Sequence, residues 1–145
     1  MTEPSKINSN IQMVENDRLF FNLIEGIEKN LNEFDATLSL NGVIITGTMI
    51  SVQTFYAELG RIFTLSLDPD AAEKSMKFYQ ETGEVERKTL LNALDGKDRH
   101  LVLKQFHVRN ASFIQNGQLV PLSGILWRGN IAAVDGFGLI KLTKG

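Results

Sequence analysis

The segment TLSLNGVIITGTMIS, residues 37–51, decides the fold because its pattern is that of two β-strands joined by a tight turn. Residues before the turn alternate between polar and apolar, and those directly after it are β-branched, as strands prefer. Asn41-Gly42 lies between them and is typical of a type I′ turn, which needs positive φ at both central residues. Gly47 predicts a bulge or sharp bend in the second strand, of the kind that curls a small sheet.

A second strand-forming block, SGILWRGNIAAVDGFGLIKL, occupies residues 123–142. Arg128-Gly129-Asn130 and Asp135-Gly136 both have turn chemistry, so we predict three short strands there. Upstream, from residue 100, apolar and polar residues alternate again, and Asn116-Gly117 predicts a further hairpin turn. Both blocks therefore combine short strands with glycine-containing turns.

Apolar residues at helical spacing precede the first block. They recur at steps of three and four from Phe20 to Phe34, which predicts a helix at about 11–33 with one apolar face. Glu25 and Glu28 are expected elsewhere around that helix, away from the core. The chain therefore begins its folded part with an amphipathic helix.

The segment between the two strand blocks, about residues 51–95, is predicted to be a helical insert. Ser51 is placed to cap its first helix, and Asp68-Pro69 to cap and begin the next. Gly83 is expected to end that second helix, and Asp95-Gly96 to end a short last one.

These elements predict a single α+β domain over residues 11–145, preceded by a polar, disordered tail at 1–10. A chain of 145 residues is long enough to bury one core without cross-links. We expect four helices and six or seven short strands. The architecture is predicted to be a small curled antiparallel sheet or an Sm-like partial barrel, with an N-terminal helix and the helical insert.

The composition excludes several classes of protein. The sequence has no cysteine, so disulfides and thiolate metal sites cannot form. No apolar run approaches the ~20 residues that a membrane-spanning helix needs. The polar N-terminus lacks the apolar core of a secretory signal, so we expect a cytoplasmic protein that does not enter a membrane.

The net charge of −2 is unevenly distributed along the chain. Residues 1–96 hold 8 basic and 15 acidic side chains, a balance of −7, and residues 97–145 hold 7 and 2, a balance of +5. Such a chain can attract copies of itself head to tail. The alternative is that the two parts neutralise each other within one fold.

Signatures of catalysis, cofactor binding and metal binding are missing from the sequence. Its glycines lack the strand–loop–helix context of a phosphate-binding loop. His100 and His107 have no carboxylate at metal-ligand spacing, and His107 is expected to be a half-buried structural residue. No serine occupies a nucleophile elbow. We therefore predict a non-enzymatic protein with no cofactor and no metal.

Four residues of the second block are candidates for binding a partner. Trp127 and Arg128 are of the types that dominate interface energetics, although the core is the favoured place for Trp127 and Arg128 could pair with Asp135 across a hairpin. The Asp135-Gly136 turn would present Phe137 as a docking residue unless Phe137 is buried. A basic run could also bind an anionic surface or simply be solvated. It consists of Lys97, Arg99, Lys104 and Arg109.

The two blocks resemble the gas vesicle accessory protein U family. The likeness lies in LNGVIITGTMIS at 40–51, in HVRNAS at 107–112, and most of all in ILWRGNIAAVDGFGLIKL at 125–142. That family shows the same order of a strand–Asn-Gly–strand block, a variable helical middle, and a Trp-Arg-Gly strand ending in a Val-Asp-Gly-Phe turn. The first 34 residues show no clear counterpart.

The resemblance implies a small cytoplasmic accessory protein, not an enzyme, that promotes gas vesicle assembly or clustering. It implies action through self-association and contact with the vesicle shell. The expected partners are therefore gas vesicle shell proteins and further copies of the chain, as a homo-oligomer. The matching motif positions are Arg128, Asp135 and Phe137, next to Trp127.

A second likeness concerns the fold. The bent strand at Gly47 and a hydrophobic–Arg-Gly-Asn–hydrophobic turn from Trp127 to Ile131 resemble the two halves of an Sm-like barrel. Sm-like proteins form rings and often bind RNA, so a nucleic-acid-binding module is the alternative function. The chain lacks the Asp-x-x-Met-Asn continuation of that family, and its overall acidity disfavours affinity led by phosphate contacts.

Overall fold

A five-stranded antiparallel sheet organises the chain, in the order β4-β3-β2-β1-β5. The structure is a computed structural model that describes residues 18–96 and 102–143. Its elements are α1 (18–30), β1 (Phe34–Leu40), β2 (Val43–Ile50), α2 (Val52–Thr64), α3 (Pro69–Leu94), β3 (Gln105–Gln115), β4 (Gln118–Asn130), a 3₁₀ turn (Ile131–Ala133) and β5 (Val134–Gly138). The sheet is not closed, because β4 and β5 form its two edges. The prediction of an α+β fold with a small curled sheet is confirmed.

Both Asn-Gly turns adopt the predicted hairpin geometry. The φ angles are 52° at Asn41 and 87° at Gly42, and 52° at Asn116 and 73° at Gly117. Positive φ at both central residues is the mark of a type I′ turn. The register between β2 and β3 shifts on either side of Gly47, which confirms the predicted bulge.

Helix α1 covers one face of the sheet. Phe20, Ile24 and Ile27 of this helix are buried in a core with the side chains of that face, among them Leu38 and Phe106. The helix ends at residue 30 rather than 33, because Leu31 turns to a φ of 56°. The predicted start at residue 11 and the predicted tail lie outside the described residues.

Glu25 and Glu28 are buried, contrary to the prediction that they lie away from the core. The Glu25 carboxylate pairs with Lys29 Nζ at 2.8 Å. Glu28 is only 1% exposed and points towards the first turn of α2. Partners supplied by the tertiary structure make this burial tolerable, and helical spacing does not reveal them.

The helical insert is an antiparallel pair, α2 and α3, between β2 and β3. Its predicted caps are confirmed, because Ser51 Oγ accepts from Thr54 N at 3.0 Å and Asp68 Oδ1 from Ala71 N at 2.9 Å. The expected break at Gly83 is wrong, since α3 runs unbroken for 26 residues. A Cβ at Gly83 would lie 2.9 Å from Tyr56 Cβ, so this glycine serves close helix packing instead.

The last part of the chain contains fewer strands than predicted. Arg128 and Gly129 lie inside β4, opposite His107 and Phe106 of β3, and so do not form a turn. The chain leaves β4 through the 3₁₀ turn and crosses to the opposite edge of the sheet, and Asp135-Gly136 lies within β5. Cross-strand pairing therefore overrides the local turn chemistry. Of the two features on which the Sm-like likeness rested, the bend at Gly47 is present and the turn at Arg128-Gly129 is not.

Candidate functional site

Two of the four motif residues pack into the core. Trp127 is half-buried, with its ring centroid 5.7 Å from those of both Phe106 and Phe113. Phe137 is half-buried on β5, and its ring centroid lies 5.2 Å from that of Phe20. For both residues the structure shows the packing alternative.

Arg128 and Asp135 do not pair with each other, contrary to the alternative considered for them. They lie on β4 and β5, the opposite edges of the sheet. The guanidinium of exposed Arg128 stands 5.7 Å from the ring centroid of Phe55, and Asp135 Oδ2 accepts from Asn41 N at 3.1 Å. The four motif residues therefore do not converge on one site, and their binding role stays a prediction.

The predicted basic run is dispersed in the structure. Lys97 and Arg99 lie outside the described residues. Lys104 is exposed, whereas Arg109 donates two hydrogen bonds to the carboxylate of Glu33. The bond to Glu33 also raises the pKa of Arg109. Arg109 is thus occupied within the fold.

A polar cleft of about 370 Å³ opens where α1, the insert and the β3–β4 pair meet. A volume of ~300–1,000 Å³ is typical of small-molecule sites. Its polar lining comes from four different elements and the segment before β3. The polar residues are Glu28, Glu86, Lys104, Gln105, His107, Arg128 and Asn130.

His107 is the least satisfied residue of this cleft. It is 3% exposed, and neither ring nitrogen has a hydrogen-bond partner. Burial, with a smaller contribution from the charge of Arg128, lowers its pKa to about 3. The imidazole is therefore neutral at physiological pH and keeps one donor and one acceptor unused. Phe55 packs against the ring, at 4.7 Å between centroids.

Glu28 also lines the cleft, and it caps α2. Its Oε1 and Oε2 accept from Val52 N at 3.1 and 3.0 Å. Burial raises the pKa of Glu28 to about 7, against the lowering effects of that hydrogen bond and of nearby Arg87. An acid with such a pKa changes its charge near neutral pH, which is uncommon for a carboxyl group.

Sequence reasoning missed Glu28 as a cleft residue and underestimated the burial of His107. One signal for Glu28 was present, because it follows Ile24 by four residues and so continues the apolar stripe of α1. Burial of His107 had no comparable signal, since it depends on α2 folding back over β3.

Exposed apolar side chains gather at the end of the helical pair, where α2 connects to α3. We call this surface the helical tip, formed by Ile62, Phe63, Leu65, Leu67 and Phe78. Phe63 stacks on Tyr79 at 5.7 Å, and Phe78 contacts the same ring at 5.4 Å, so the aromatic part of the tip is continuous.

A second apolar surface lies on the sheet, at the far end of the β3–β4 hairpin. We call it the edge groove. It encloses about 640 Å³ and is lined by Ile114, Gly117, Gln118, Leu119, Leu122, Leu142 and Thr143. Edge strand β4 also exposes Val120 and Ile125. All of these residues belong to strands, their turn or the segment after β5, and none to the helical tip.

Metal-binding clusters and membrane-spanning helices are absent from residues 18–96 and 102–143. Within those ranges, no three His, Asp or Glu side chains are grouped so that they could hold a metal ion. No helix there combines the length and the apolar character required to span a membrane.

Comparison with known proteins identifies the family. Neither the curated proteins nor the solved structures contain a match to this chain. A family model does match, over residues 17–142, and its description is gas vesicle protein GvpU-like. The match spans α1, the sheet and the helical insert, which is nearly the whole described fold. The chain therefore belongs to the GvpU-like gas vesicle protein family.

Proposed function

We propose that this protein is a cytoplasmic, non-enzymatic accessory factor that promotes gas vesicle assembly or clustering through self-association and shell contact. Membership of the gas vesicle family supports a role related to gas vesicles. The observation that carries the mechanism is the helical tip, an exposed apolar surface that nothing in the described fold covers. Large exposed apolar patches on soluble proteins commonly mark interaction sites.

The helical tip has the composition of a contact surface. Leu65 is 75% exposed, Phe78 62% and Phe63 56%. Aromatic side chains bury much area at little cost in conformational entropy, and they are enriched at interfaces. Burying Phe63, Leu65 and Phe78 against a partner would contribute several kcal/mol, at ~1.5–3 kcal/mol each.

Clustering requires that one molecule makes at least two contacts. The helical tip lies on the insert and the edge groove lies on the sheet, so the protein carries two separate apolar surfaces. We propose that one surface contacts the vesicle shell and the other contacts a second copy of the chain. Two copies joined through the same surface would then carry a shell-contacting surface each, so that the pair can link two vesicles.

Flotation with purified gas vesicles tests this proposal. Wild-type protein should rise with the vesicles and increase their clustering under the light microscope. Phe63→Ser with Phe78→Ser should reduce one or both effects, whereas Val43→Ser, at an exposed apolar residue outside both surfaces, should leave them unchanged. Wild-type protein that stays in the subnatant and leaves vesicles dispersed would refute the proposal.

If the double variant loses only flotation or only clustering, the lost effect identifies the partner of the helical tip. Reduced flotation means that the tip contacts the shell. Normal flotation with reduced clustering means that it contacts a second copy. Normal behaviour in both assays would show that the helical tip has no part in the function.

A further inference from the structure

Four polar side chains of β3 and β4 form a patch in the polar cleft, and the register of the two strands brings them together. His107 lies opposite Arg128, and Gln105 lies opposite Asn130. Residues two apart on a strand point to the same face, so these four side chains share one face of the sheet. Phe106, between the two β3 residues, is instead fully buried in the core. The patch is thus a built feature of the β3–β4 pair at the cleft.

Two members of this patch lack partners. Neither ring nitrogen of buried His107 makes a hydrogen bond. Within the described residues the side chain of Arg128 forms no hydrogen bond or ion pair, and its guanidinium stands over the Phe55 ring. Buried polar groups in proteins are nearly always satisfied, and an exception asks for an explanation. A polar ligand that enters beside Arg128 can supply the missing partner.

The charges around the cleft are balanced and of both signs. Arg128 and Lys104 are positive, Glu86 is an acid, and Glu28 is an acid that becomes negative as the pH rises above about 7. An anion would meet two carboxylates, and a cation would meet two basic side chains. A molecule that carries one charge of each sign is matched to this lining.

The rest of the lining is apolar and comes from Val52, Leu90, Val102 and Leu103. Such a surface can bury an apolar group of the ligand. The volume of about 370 Å³ is at the lower end of the range for small-molecule sites. Size, charge and apolar lining therefore define one class of ligand.

We propose that this cleft binds a small zwitterion, namely an α-amino acid with an apolar side chain. The ligand carboxylate lies towards Arg128 and Lys104, its ammonium group towards Glu28 and Glu86, and its side chain against Val52 and Leu90. The neutral imidazole of His107 gains a hydrogen-bond partner on binding. This role goes beyond vesicle association and does not depend on it.

Thermal unfolding of the full-length protein with each of the twenty amino acids tests the inference. At least one apolar amino acid should raise Tm in a concentration-dependent manner, because a ligand that binds only the folded state stabilises it. Leucine is then compared with 4-methylpentanoate, which lacks the amino group, and with 3-methylbutylamine, which lacks the carboxylate. Both analogues should give smaller shifts than leucine.

Arg128→Gln should weaken binding of the amino acid about tenfold, as expected for the loss of one charge-assisted contact. Arg61→Gln is the matched control, since Arg61 is an exposed arginine on α2 that does not line the cleft. The Tm of each variant without ligand reports whether folding is intact. Because Arg128 is exposed, Arg128→Gln should fold normally.

Three outcomes would overturn the inference. One is an unchanged Tm of wild-type protein with all twenty amino acids. Another is an equal response to leucine and 4-methylpentanoate, which would assign a simple anion site. The third is an amino acid response in Arg128→Gln equal to that of wild type. The thermal shift of wild-type protein is measured without vesicles, so failure here is distinct from failure of the proposed function.

Discussion

Glu28 of α1 and Val52 of α2 join the two layers of the fold by a buried hydrogen bond. Both carboxylate oxygens of Glu28 accept from Val52 N, at 3.1 and 3.0 Å. Ser51, the residue before Val52, caps the same helix by accepting from Thr54 N. The backbone N–H groups at the N-terminus of α2 thus donate to Ser51, which directly precedes the helix, and to Glu28, which lies on α1. Negative charge is favourable at this end of a helix, but burial opposes it.

The pH dependence of stability should change when Glu28 is replaced by Gln. The pKa of Glu28 rises from 4.5 to about 7 on folding, so the folded state binds the proton more tightly. The stability due to Glu28 is complete below pH 4.5 and is lost as the pH rises through 7, by roughly 3 kcal/mol. Glu28→Gln retains an acceptor for Val52 without this loss.

Urea unfolding at pH 5 and pH 8 measures the effect. The free energy of unfolding of Glu28→Gln minus that of wild type should be larger at pH 8 than at pH 5, by up to roughly 3 kcal/mol. Glu81→Gln, at an exposed acid on α3, serves as control and should behave like wild type. A difference between Glu28→Gln and wild type that stays constant with pH would contradict the prediction.

Replacement of His107 by Leu should stabilise the ligand-free protein at acidic pH. Folding lowers the pKa of His107 from 6.5 to about 3, so the unfolded chain binds the proton more tightly. The stability due to His107 is therefore present above pH 6.5 and is lost as the pH falls towards 3. Leucine also removes two unsatisfied buried nitrogens, each of which costs ~1–3 kcal/mol.

Unfolding followed from pH 7 to pH 4 checks this effect. The advantage of His107→Leu over wild type should grow as the pH falls. Wild type and variant with parallel pH profiles would show that His107 is not held neutral. The experiment is independent of the one on Glu28, whose contribution changes in the opposite direction with pH.

Alanine should have opposite effects at two helical glycines. A Cβ at Gly83 of α3 would lie 2.9 Å from Tyr56 Cβ and 3.0 Å from Gln53 O, so Gly83→Ala must push α2 and α3 apart. We expect a loss of about 1–3 kcal/mol. At Gly26 of α1 a Cβ meets nothing within 4 Å, so Gly26→Ala should gain about 0.5–1 kcal/mol from helix propensity.

Chemical denaturation of Gly83→Ala and Gly26→Ala measures the change in unfolding free energy that each substitution causes. Equal shifts of the same sign would mean that helix propensity, and not contact between α2 and α3, governs Gly83. A loss at Gly26 would show that the open space beside it is filled in solution.

Self-association should persist at high salt. If contact between apolar surfaces drives it, raising the salt to 1 M, where the Debye length is ~3 Å, should leave it intact. If attraction between the acidic part, 1–96, and the basic part, 97–145, drives it, association should disappear. Sedimentation at low and high salt distinguishes the two, and loss at 1 M would exclude the apolar mechanism proposed for the helical tip.

The turns, helix caps and bulge were predictable from the sequence, because each depends on residues that are close together along the chain. Asn41-Gly42 and Asn116-Gly117 form type I′ turns because few other dipeptides accept positive φ twice. Ser51 and Asp68 cap helices because their side chains reach a backbone N–H three residues ahead. The bulge at Gly47 belongs to the same class, and so does the apolar stripe of α1.

Contacts between distant segments decided the rest. Gly83 does not end α3, because a glycine is needed inside this helix to leave space for Tyr56 of α2. Arg128-Gly129 is extended and does not form a turn, because both residues pair with His107 and Phe106 of β3. Only the packing of α1, α2, α3 and the β3–β4 pair creates the cleft and shifts the pKa values of Glu28 and His107. The sequence by itself determined the hairpins, caps and family. The tertiary structure alone decided burial and charge in the cleft, because these depend on neighbours far away along the chain.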